Sequence, residues 1–451
     1  MVLLLSLLQS AALATAIPEP AHVPTHAQHM AEALGAGRPM APAIASPAGE
    51  RVTSYGFLPY WTTDPLSVDF DSLTHVAYFR VGLSAWGTPT ETSGWTTLAA
   101  DLVEAAHAVG TKVHLTVAVF DASTQNSVLG NATYRATAVS SLADLVNDYG
   151  ADGVNVDFES TPFGQKDNLV AFVEELKDVV DEVYVDTPAV DWDGAYDYDR
   201  LSEVSDGLFI MGYDFHWDGG DPGPVAPLYA GSPWSAYALD ATLEDYRTWG
   251  ATDDKIVLGL PLYGREWPTA TDAVPGSATG DGYALSIEEA LARASGFSPT
   301  RFEDTSQTAW VFTGSSQLWY DDYATLETKL TWGVDQGIQG VGYWALGYEG
   351  NDPEFWAMVD RVTLTPATED PSTPEDTGEP EDTGEPEDTG TLDTGLADTG
   401  ESGTSSGGSS WSVETDVEEK PGGCACATSS QPKTGWLLLP LLGLLAARRR
   451  R

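Results

Sequence analysis

The stretch DGVNVDFES, residues 152–160, alternates polar with apolar side chains. Successive side chains of a β-strand point to opposite faces, so Asn155, Asp157 and Glu159 would share one face and the apolar residues between them the other. For an isolated strand, the simplest interpretation is a sheet edge with one face in water. Whether the acids mark such an edge or a site depends on the fold around this strand.

Seven further apolar, β-branched runs predict strands, and helical patterns lie between several of them. The eight predicted strands are residues 54–61, 74–81, 112–120, 152–159, 182–190, 207–214, 255–264 and 337–346. The intervening segments that carry apolar residues at spacings of three and four, as helices on a sheet do, are 96–110, 135–150, 165–181 and 238–250. This order predicts an α/β fold, a (β/α)8 TIM barrel over residues 51–364.

Two segments interrupt the repeat. The connection DWDGAYDYDRLSEVS, residues 191–205, has too few apolar residues for a full helix. Between the seventh and eighth strands, residues 267–322 have the pattern of a helix plus short strands. We therefore expect a small α+β insertion beside the cleft between strands 7 and 8.

A barrel changes the interpretation of residues 152–160, because helices cover one side of each strand and the packed interior covers the other. Asn155, Asp157 and Glu159 would then line the barrel interior in this order toward its C-terminal end, where barrel enzymes have their active sites. Burying neighbouring carboxylates is costly unless they share a proton or hydrogen bonds. A structural role alone no longer explains these acids.

DGVNVDFE resembles the DGxDxDxE signature of family 18 glycoside hydrolases, the chitinase-like (β/α)8 barrels. Three more motifs follow in the family's order at predicted strand ends: MGYD (211–214), LPLYGREW (260–267) and GYW (342–344). FHWDGGDPGPVAPL, which follows the sixth strand, resembles the branch related to spore-cortex N-acetylglucosaminidases. The resemblance covers the whole predicted barrel.

The resemblance implies retaining, substrate-assisted hydrolysis of β-1,4-linked N-acetylglucosamine glycans, either chitin and its oligosaccharides or peptidoglycan. Glu159 would be the general acid, and the acetamido oxygen of the substrate would replace a protein nucleophile. Asp157 would orient that amide and stabilise the oxazolinium ion, and Tyr213 would bind its oxygen. The remaining motif residues that would contact the sugar are Met211, Asp214 and Trp344.

A carbohydrate-binding protein without turnover is the alternative, because some family members have lost the acid and act as lectins. Glu159 is present in this chain, which favours the enzyme.

Asn155 departs from most of the family, which has Asp there to share a proton with the position of Asp157. An amide cannot take that proton, so we expect Asp157 to stay ionised over a wider pH range and the pH optimum to fall. Asn occurs at this position in the spore-cortex branch, so it still belongs to the predicted catalytic group. The third strand reads LTVA (115–118) instead of the SxGG of many chitinases, which leaves the choice of substrate open.

Several aromatic residues fall at or just beyond strand ends, where each could stack on a pyranose ring or belong to the core. They are Tyr60, Trp61, Trp192, Trp217 and Trp267. Arg265 could donate hydrogen bonds in the cleft or form a buried ion pair with Glu266 or another acid.

The formal net charge is −47, from 21 basic and 68 acidic residues, which argues against nucleic acid or an anionic membrane surface as a partner. Much of the acid lies in residues 365–423, a Pro-, Gly- and Ser-rich segment that we interpret as a disordered stalk. Its repeated DTG triplets lack the folded cleft that an aspartic protease needs. The histidines show no ligand spacing, so we expect no metal and no cofactor.

Both ends of the chain resemble targeting signals. Residues 1–16 predict a secretory signal peptide cleaved after Ala16, followed by a Pro/Ala-rich disordered segment over 17–50. Residues 424–451 resemble the C-terminal sorting signals of myxobacterial surface proteins, which implies processing or lipidation at Cys424. We expect an exported monomer, secreted or held at the cell surface, that meets the membrane only through this C-terminal anchor.

Overall fold

The computed structural model describes residues 50–365 except 193 and 351. Eight parallel strands close into a barrel, because the first strand pairs with both the second and the eighth. In chain order the barrel strands are Thr53–Pro59, His75–Leu83, Lys112–Val119, Gly153–Phe158, Glu182–Pro188, Gly207–Met211, Ile256–Pro261 and Gly340–Trp344. The short strand Pro89–Thr90 pairs antiparallel with the end of the second. The predicted TIM barrel is confirmed.

Helices follow the strands and bury their apolar stripes. The α-helices are Ser93–His107, Ala122–Gly130, Ala132–Asn147, Lys166–Lys177, Tyr198–Val204, Leu239–Thr248, Ile287–Ala294, Tyr323–Asp335 and Pro353–Thr363, and the 3₁₀ turns are Pro65–Ser67, Phe70–Ser72, Phe163–Gln165 and Asp253–Lys255. Phe158 stacks on Phe172 of the helix Lys166–Lys177 with ring centroids 5.4 Å apart. The outer face of the fourth strand therefore meets this helix, and its polar residues face inward.

Among its described residues, the connection between the fifth and sixth strands has one helix, the seven-residue Tyr198–Val204, in agreement with its low apolar content. Tyr198 and Leu201 are its large buried side chains. So short a helix leaves the loop before it free to line the mouth of the barrel.

The insertion is a five-stranded antiparallel sheet with one helix. Its strands are Tyr263–Pro268, Tyr283–Ser286, Arg301–Glu303, Thr308–Phe312 and Ser316–Tyr320. It begins earlier than predicted, because the chain leaves the barrel after Pro261 and residues 263–268 pair with Tyr283–Ser286 and Ser316–Tyr320. A core of three tryptophans, Trp267, Trp310 and Trp319, holds this sheet together.

The ends of the barrel domain meet. Glu50–Arg51 pairs antiparallel with Leu364–Thr365, and Arg51 Nη2 lies 2.7 Å from Asp360 Oδ1. The predicted signal peptide with Ala16, the segment up to residue 49, the stalk beyond residue 365 and the sorting segment with Cys424 lie outside the described residues. Within the described residues, none of the helices is both long and apolar enough to span a bilayer.

Candidate active site

Glu159 stands at the mouth of the barrel. It follows Phe158, the last residue of the fully buried fourth strand, and is itself half-buried. Gln125 Nε2 donates to the backbone oxygens of Glu159 at 2.6 Å and of Val119 at 2.7 Å, which ties the ends of the third and fourth strands together. Ser160 then turns the chain with a φ of 54°. The backbone of Glu159 is thus held where the strand leaves the barrel.

A cavity of about 350 Å³ opens beside Glu159. Five residues that the sequence analysis considered for the site line it together with Glu159, namely Met211, Tyr213, Asp214, Trp192 and Trp217. Tyr237 lines it as well, and its ring centroid lies 4.8 Å from that of Trp192; the two residues are 42% and 72% exposed. An acid, a phenol and accessible aromatic faces around one opening are suited to binding and cleaving a sugar chain.

Below the cavity, Asn155 and Asp157 are both buried inside the barrel. Asn155 Nδ2 donates to Asp186 Oδ1 at 2.7 Å, so the fifth strand contributes a further carboxyl group. Burial raises the pKa of Asp157 to about 7, although the Arg80 guanidinium acts to lower it. Burial and then the Asp157 carboxylate raise the pKa of Asp186 well above its usual value. The expectation that Asp157 stays ionised over a wider pH range is therefore wrong, because Asn155 does not remove the acid pair from the site.

Tyr213 is buried, and this burial, together with the Asp186, Asp157 and Glu159 carboxylates, raises its pKa well above 10.0. The raised pKa keeps the hydroxyl group protonated, so it can donate a hydrogen bond. This is the property that a donor to an amide oxygen needs.

Asp214 follows the sixth strand with a φ of 59°. Its Oδ1 accepts hydrogen bonds from Tyr263 Oη at 2.7 Å and Arg265 Nη2 at 2.8 Å. Arg265 is 1% exposed and pairs also with Asp218, so it is a buried partner of acids and not a donor exposed in the cleft. Glu266, the other acid considered for it, pairs instead with Arg293.

The predicted floor residue Trp344 is 3% exposed and packs edge-on against Phe79 with ring centroids 4.7 Å apart. Trp61 lies 6.5 Å from Trp344 by ring centroids, and Tyr60 lies 4.8 Å from Trp61. Tyr60 is 56% exposed, so this aromatic group runs from the barrel interior to the surface.

Trp267 does not belong to the cleft. It is fully buried in the insertion core with Trp310 and Trp319, and its Nε1 donates to the Trp217 backbone oxygen at 3.3 Å. A ring that solvent cannot reach cannot stack on a sugar, so its predicted role in substrate binding is wrong. Trp267 is a core residue, which was the other role considered for it.

In the part of the chain that the structure describes, one group of side chains has the composition of a metal site: His75, His114 and Glu182, near the N-terminal ends of their strands. The Nε2 atoms of the two histidines lie 3.0 and 3.1 Å from Glu182 Oε2, and Lys112 bonds to the same carboxylate. These four side chains satisfy one another by hydrogen bonds. Spacing along the chain missed the group because its members come from three strands.

Sequence reasoning also missed Asp186. The fifth strand, EVYVDTP (182–188), alternates Glu182, Tyr184 and Asp186 with small apolar residues, in the same pattern as the fourth. That alternation predicts an inward acid, but only the neighbouring strand shows what it contacts.

A family model described as glycosyl hydrolases family 18 matches residues 55–349. The chain is 28% identical over 271 residues to a putative sporulation-specific glycosylase, YdhD, of Bacillus subtilis, covering 57% of this chain and 61% of that protein. It is 30% identical over 200 residues to chitinase C of Streptomyces lividans, covering 41% of this chain and 32% of that protein. It is 25% identical over 321 residues to the cortical fragment-lytic enzyme of Bacillus anthracis, covering 65% of this chain and 69% of that protein. The chain thus spans less than two thirds of the first two relatives.

Solved structures have the same fold. A family 18 chitinase from Cycas revoluta in complex with (GlcNAc)3 aligns with a TM-score of 0.63 at 19% identity, over 69% of this chain and 99% of that one. A chitinase from Trichuris suis aligns with a TM-score of 0.64 at 19% identity, over the same shares.

Proposed function

This chain belongs to the glycosyl hydrolases of family 18, and from that membership we propose that it hydrolyses β-1,4-linked N-acetylglucosamine glycans with retention of configuration. The observation that supports this most is the position of Glu159 at the rim of a cavity that Tyr213 and Asp214 also line. Asp157 lies buried on the same strand, two residues before Glu159. The proposal needs these groups around one sugar.

Each group has one chemical task in this proposal. Glu159 protonates the glycosidic oxygen as the C1–O bond breaks, and the acetamido oxygen of the same sugar attacks C1. The Asp157 carboxylate accepts a hydrogen bond from the amide N–H and stabilises the positive oxazolinium ion. Tyr213 donates a hydrogen bond to the acetamido oxygen. Glu159 then takes a proton from the water that attacks C1, and the configuration is retained.

Two substrates are consistent with the relatives, since these include a chitinase and a cortical fragment-lytic enzyme. We therefore propose a comparison of chitooligosaccharides and purified peptidoglycan sacculi, with release of reducing ends as the measurement. The substrate with the higher kcat/KM identifies the glycan.

Glu159→Gln tests catalysis by the acid. It keeps the size and hydrogen-bonding capacity of the side chain and removes the proton, so hydrolysis should fall by about a hundredfold or more. The matched control is Glu104→Gln on the exposed side of the helix Ser93–His107, which should leave the rate unchanged. Tight binding of either glycan by the wild type with no turnover would contradict the proposal and favour a carbohydrate-binding protein.

We further propose that the enzyme is exported and held at the cell surface. The support is the sequence of the two termini, which predicts a cleavage site after Ala16 and resembles a sorting segment that begins at Cys424. Mass spectrometry of the mature protein should find Ile17 at its N-terminus and a processed or lipidated Cys424. An N-terminus at Met1 in fractionated cells would contradict export.

A further inference from the structure

Asp186 and Asp157 occupy neighbouring positions on two paired strands. The fourth and fifth strands run parallel with Asn155 opposite Tyr184 and Val156 opposite Val185, so the next position on each strand is Asp157 and Asp186. Both residues are 3% exposed. The barrel interior therefore holds two adjacent acids directly below the general acid.

The surroundings of this pair supply little positive charge. Among the described residues, the basic group that acts on Asp157 is Arg80 on the second strand, which also pairs with Glu91 at 2.8 Å. The carboxylates of the pair in turn help to raise the pKa of three neighbouring phenols, Tyr55, Tyr196 and Tyr213, none of which brings a positive charge. Two buried negative charges at this place would be costly, and one proton between them removes that cost.

The hydrogen bonds leave room for that proton. Asn155 Nδ2 donates to Asp186 Oδ1, which fixes one oxygen of Asp186. Asp157 Oδ1 is buried and accepts no hydrogen bond from the described protein groups. An oxygen of this kind can accept from a protonated neighbouring carboxyl group or from an incoming amide N–H.

We propose that Asp186 is a positioning residue that shares one proton with Asp157 and holds that proton while the substrate amide reacts. The proposal rests on the proposed function. In the free enzyme the proton lies between the two acids. When the acetamido N–H reaches Asp157, the proton stays on Asp186, so Asp157 is an anion facing the oxazolinium ion. The pair neither gains nor loses a proton in the cycle, because Glu159 alone protonates the leaving oxygen and deprotonates the water.

Asn155 has a defined part in this arrangement. Its amide cannot hold the shared proton, but it orients the carboxyl group that does. The acid that most of the family has on the fourth strand is thus supplied from the fifth strand in this chain.

The test removes the carboxyl group from position 186 on the fifth strand and then places one at position 155 on the fourth. Asp186→Asn removes the shared proton and lowers the pKa of Asp157, so the acidic limb of the kcat/KM profile should move down by about one pH unit or more. The double variant Asn155→Asp/Asp186→Asn restores an acid beside Asp157 and should return the limb to its wild-type position. Asp101→Asn, on the exposed side of the helix Ser93–His107, is the matched control for net charge and should not shift the limb.

A purely structural role for Asp186 would lower activity equally at all pH values, and that result would overturn the proposal. A double variant whose limb differs from that of the wild type would overturn it as well. Should Asp186→Asn fail to fold, the limb of the double variant alone decides between the two outcomes.

A second readout separates this proposal from the proposed function. A shared proton raises the pKa of Asp157 from 3.8 to about 7, so the folded state binds more protons and the contribution of this pair to stability falls as pH rises through that range. Urea unfolding of Asp186→Asn should show a smaller dependence on pH between those values than the wild type. If the wild type hydrolyses neither glycan, the proposed function fails, and the urea result still decides whether the proton is shared.

Discussion

Arg265 holds Asp214 at the edge of the cavity through an ion pair whose guanidinium side is buried. Its Nη2 lies 2.8 Å from Asp214 Oδ1, and Tyr263 Oη donates to the same oxygen at 2.7 Å. Asp214 lies just beyond the sixth strand, so these partners and not a strand pairing determine where its carboxylate points. A residue with no access to the cavity thus controls one that lines it.

Replacing Arg265 with Gln should destabilise the protein and reduce hydrolysis together. The change leaves the partly buried Asp214 and Asp218 without their buried cation, which should cost about 2 kcal/mol of unfolding free energy. The partly exposed pair of Arg301 with Asp272 offers the control, since Arg301→Gln should cost less than about 1 kcal/mol. Urea unfolding measures both. Equal losses in the two variants would contradict the assigned role.

Trp192 offers the most exposed aromatic face on the cavity. If it stacks on a sugar, Trp192→Ala should raise KM for oligosaccharides by about threefold to tenfold and leave kcat nearly unchanged. Phe302→Ala removes another exposed ring, on an edge strand of the insertion, and should not alter KM. Unchanged KM in Trp192→Ala would show that the ring does not contact the substrate.

At the scale of elements, a polar cluster ties three strands together near their N-terminal ends. His75 on the second strand, His114 on the third and Glu182 on the fifth share hydrogen bonds, and Lys112 adds a fourth partner. The hydrogen bonds from His114, His75 and Lys112 hold the pKa of Glu182 well below its usual value, although its partial burial acts to raise it. Burial lowers the pKa of His75.

Both shifts predict that stability falls as the solution becomes acidic. A carboxylate with a depressed pKa stabilises the fold above its unfolded pKa of 4.5 and loses that contribution as pH falls further. A buried histidine with a lowered pKa destabilises the fold as pH falls below its unfolded pKa of 6.5, because the unfolded chain takes up the proton first.

Glu182→Gln should therefore lower the unfolding free energy by about 2 kcal/mol at pH 7, with the difference from wild type narrowing below pH 4.5. Glu175→Gln breaks a more exposed pair with Arg135 and should cost less than about 1 kcal/mol. Urea unfolding across the pH range checks this. A stability difference that grows toward acid pH would contradict a depressed pKa for Glu182.

At the scale of the whole molecule, the barrel and its insertion contain every group that the proposed chemistry uses. These groups lie between Tyr55 and Trp344, and the two ends of the domain meet in the pairing of Glu50–Arg51 with Leu364–Thr365. The acidic segment beyond residue 365 contributes no group to the proposed steps.

A chain that ends at Thr365 should therefore hydrolyse soluble chitooligosaccharides with the kcat/KM of the full chain. Its control is a chain that ends at Val359, which lacks Asp360, the partner of Arg51, and should unfold at a lower temperature. A large loss of activity in the longer truncation, with the fold intact, would show that residues beyond 365 take part in catalysis.

Much of the fold and part of the site could be predicted from local pattern. Eight β-branched runs with helical segments between them indicate a barrel, because strand and helix periods follow from the backbone and hold wherever the segment is buried. The same period of two placed Asn155 and Asp157 inside and Glu159 at the mouth, before any neighbouring strand was known.

The contacts between side chains of different strands could be identified only from the tertiary structure. Local sequence does not state which side chains meet across a barrel, so the bond from Asn155 to Asp186 and the approach of His75 to His114 were not foreseen. Trp267 belongs to the core and not the cleft because residues 263–268 leave the barrel and join another sheet. The sequence alone determined which residues face inward, and register and closure decided which partners they find there.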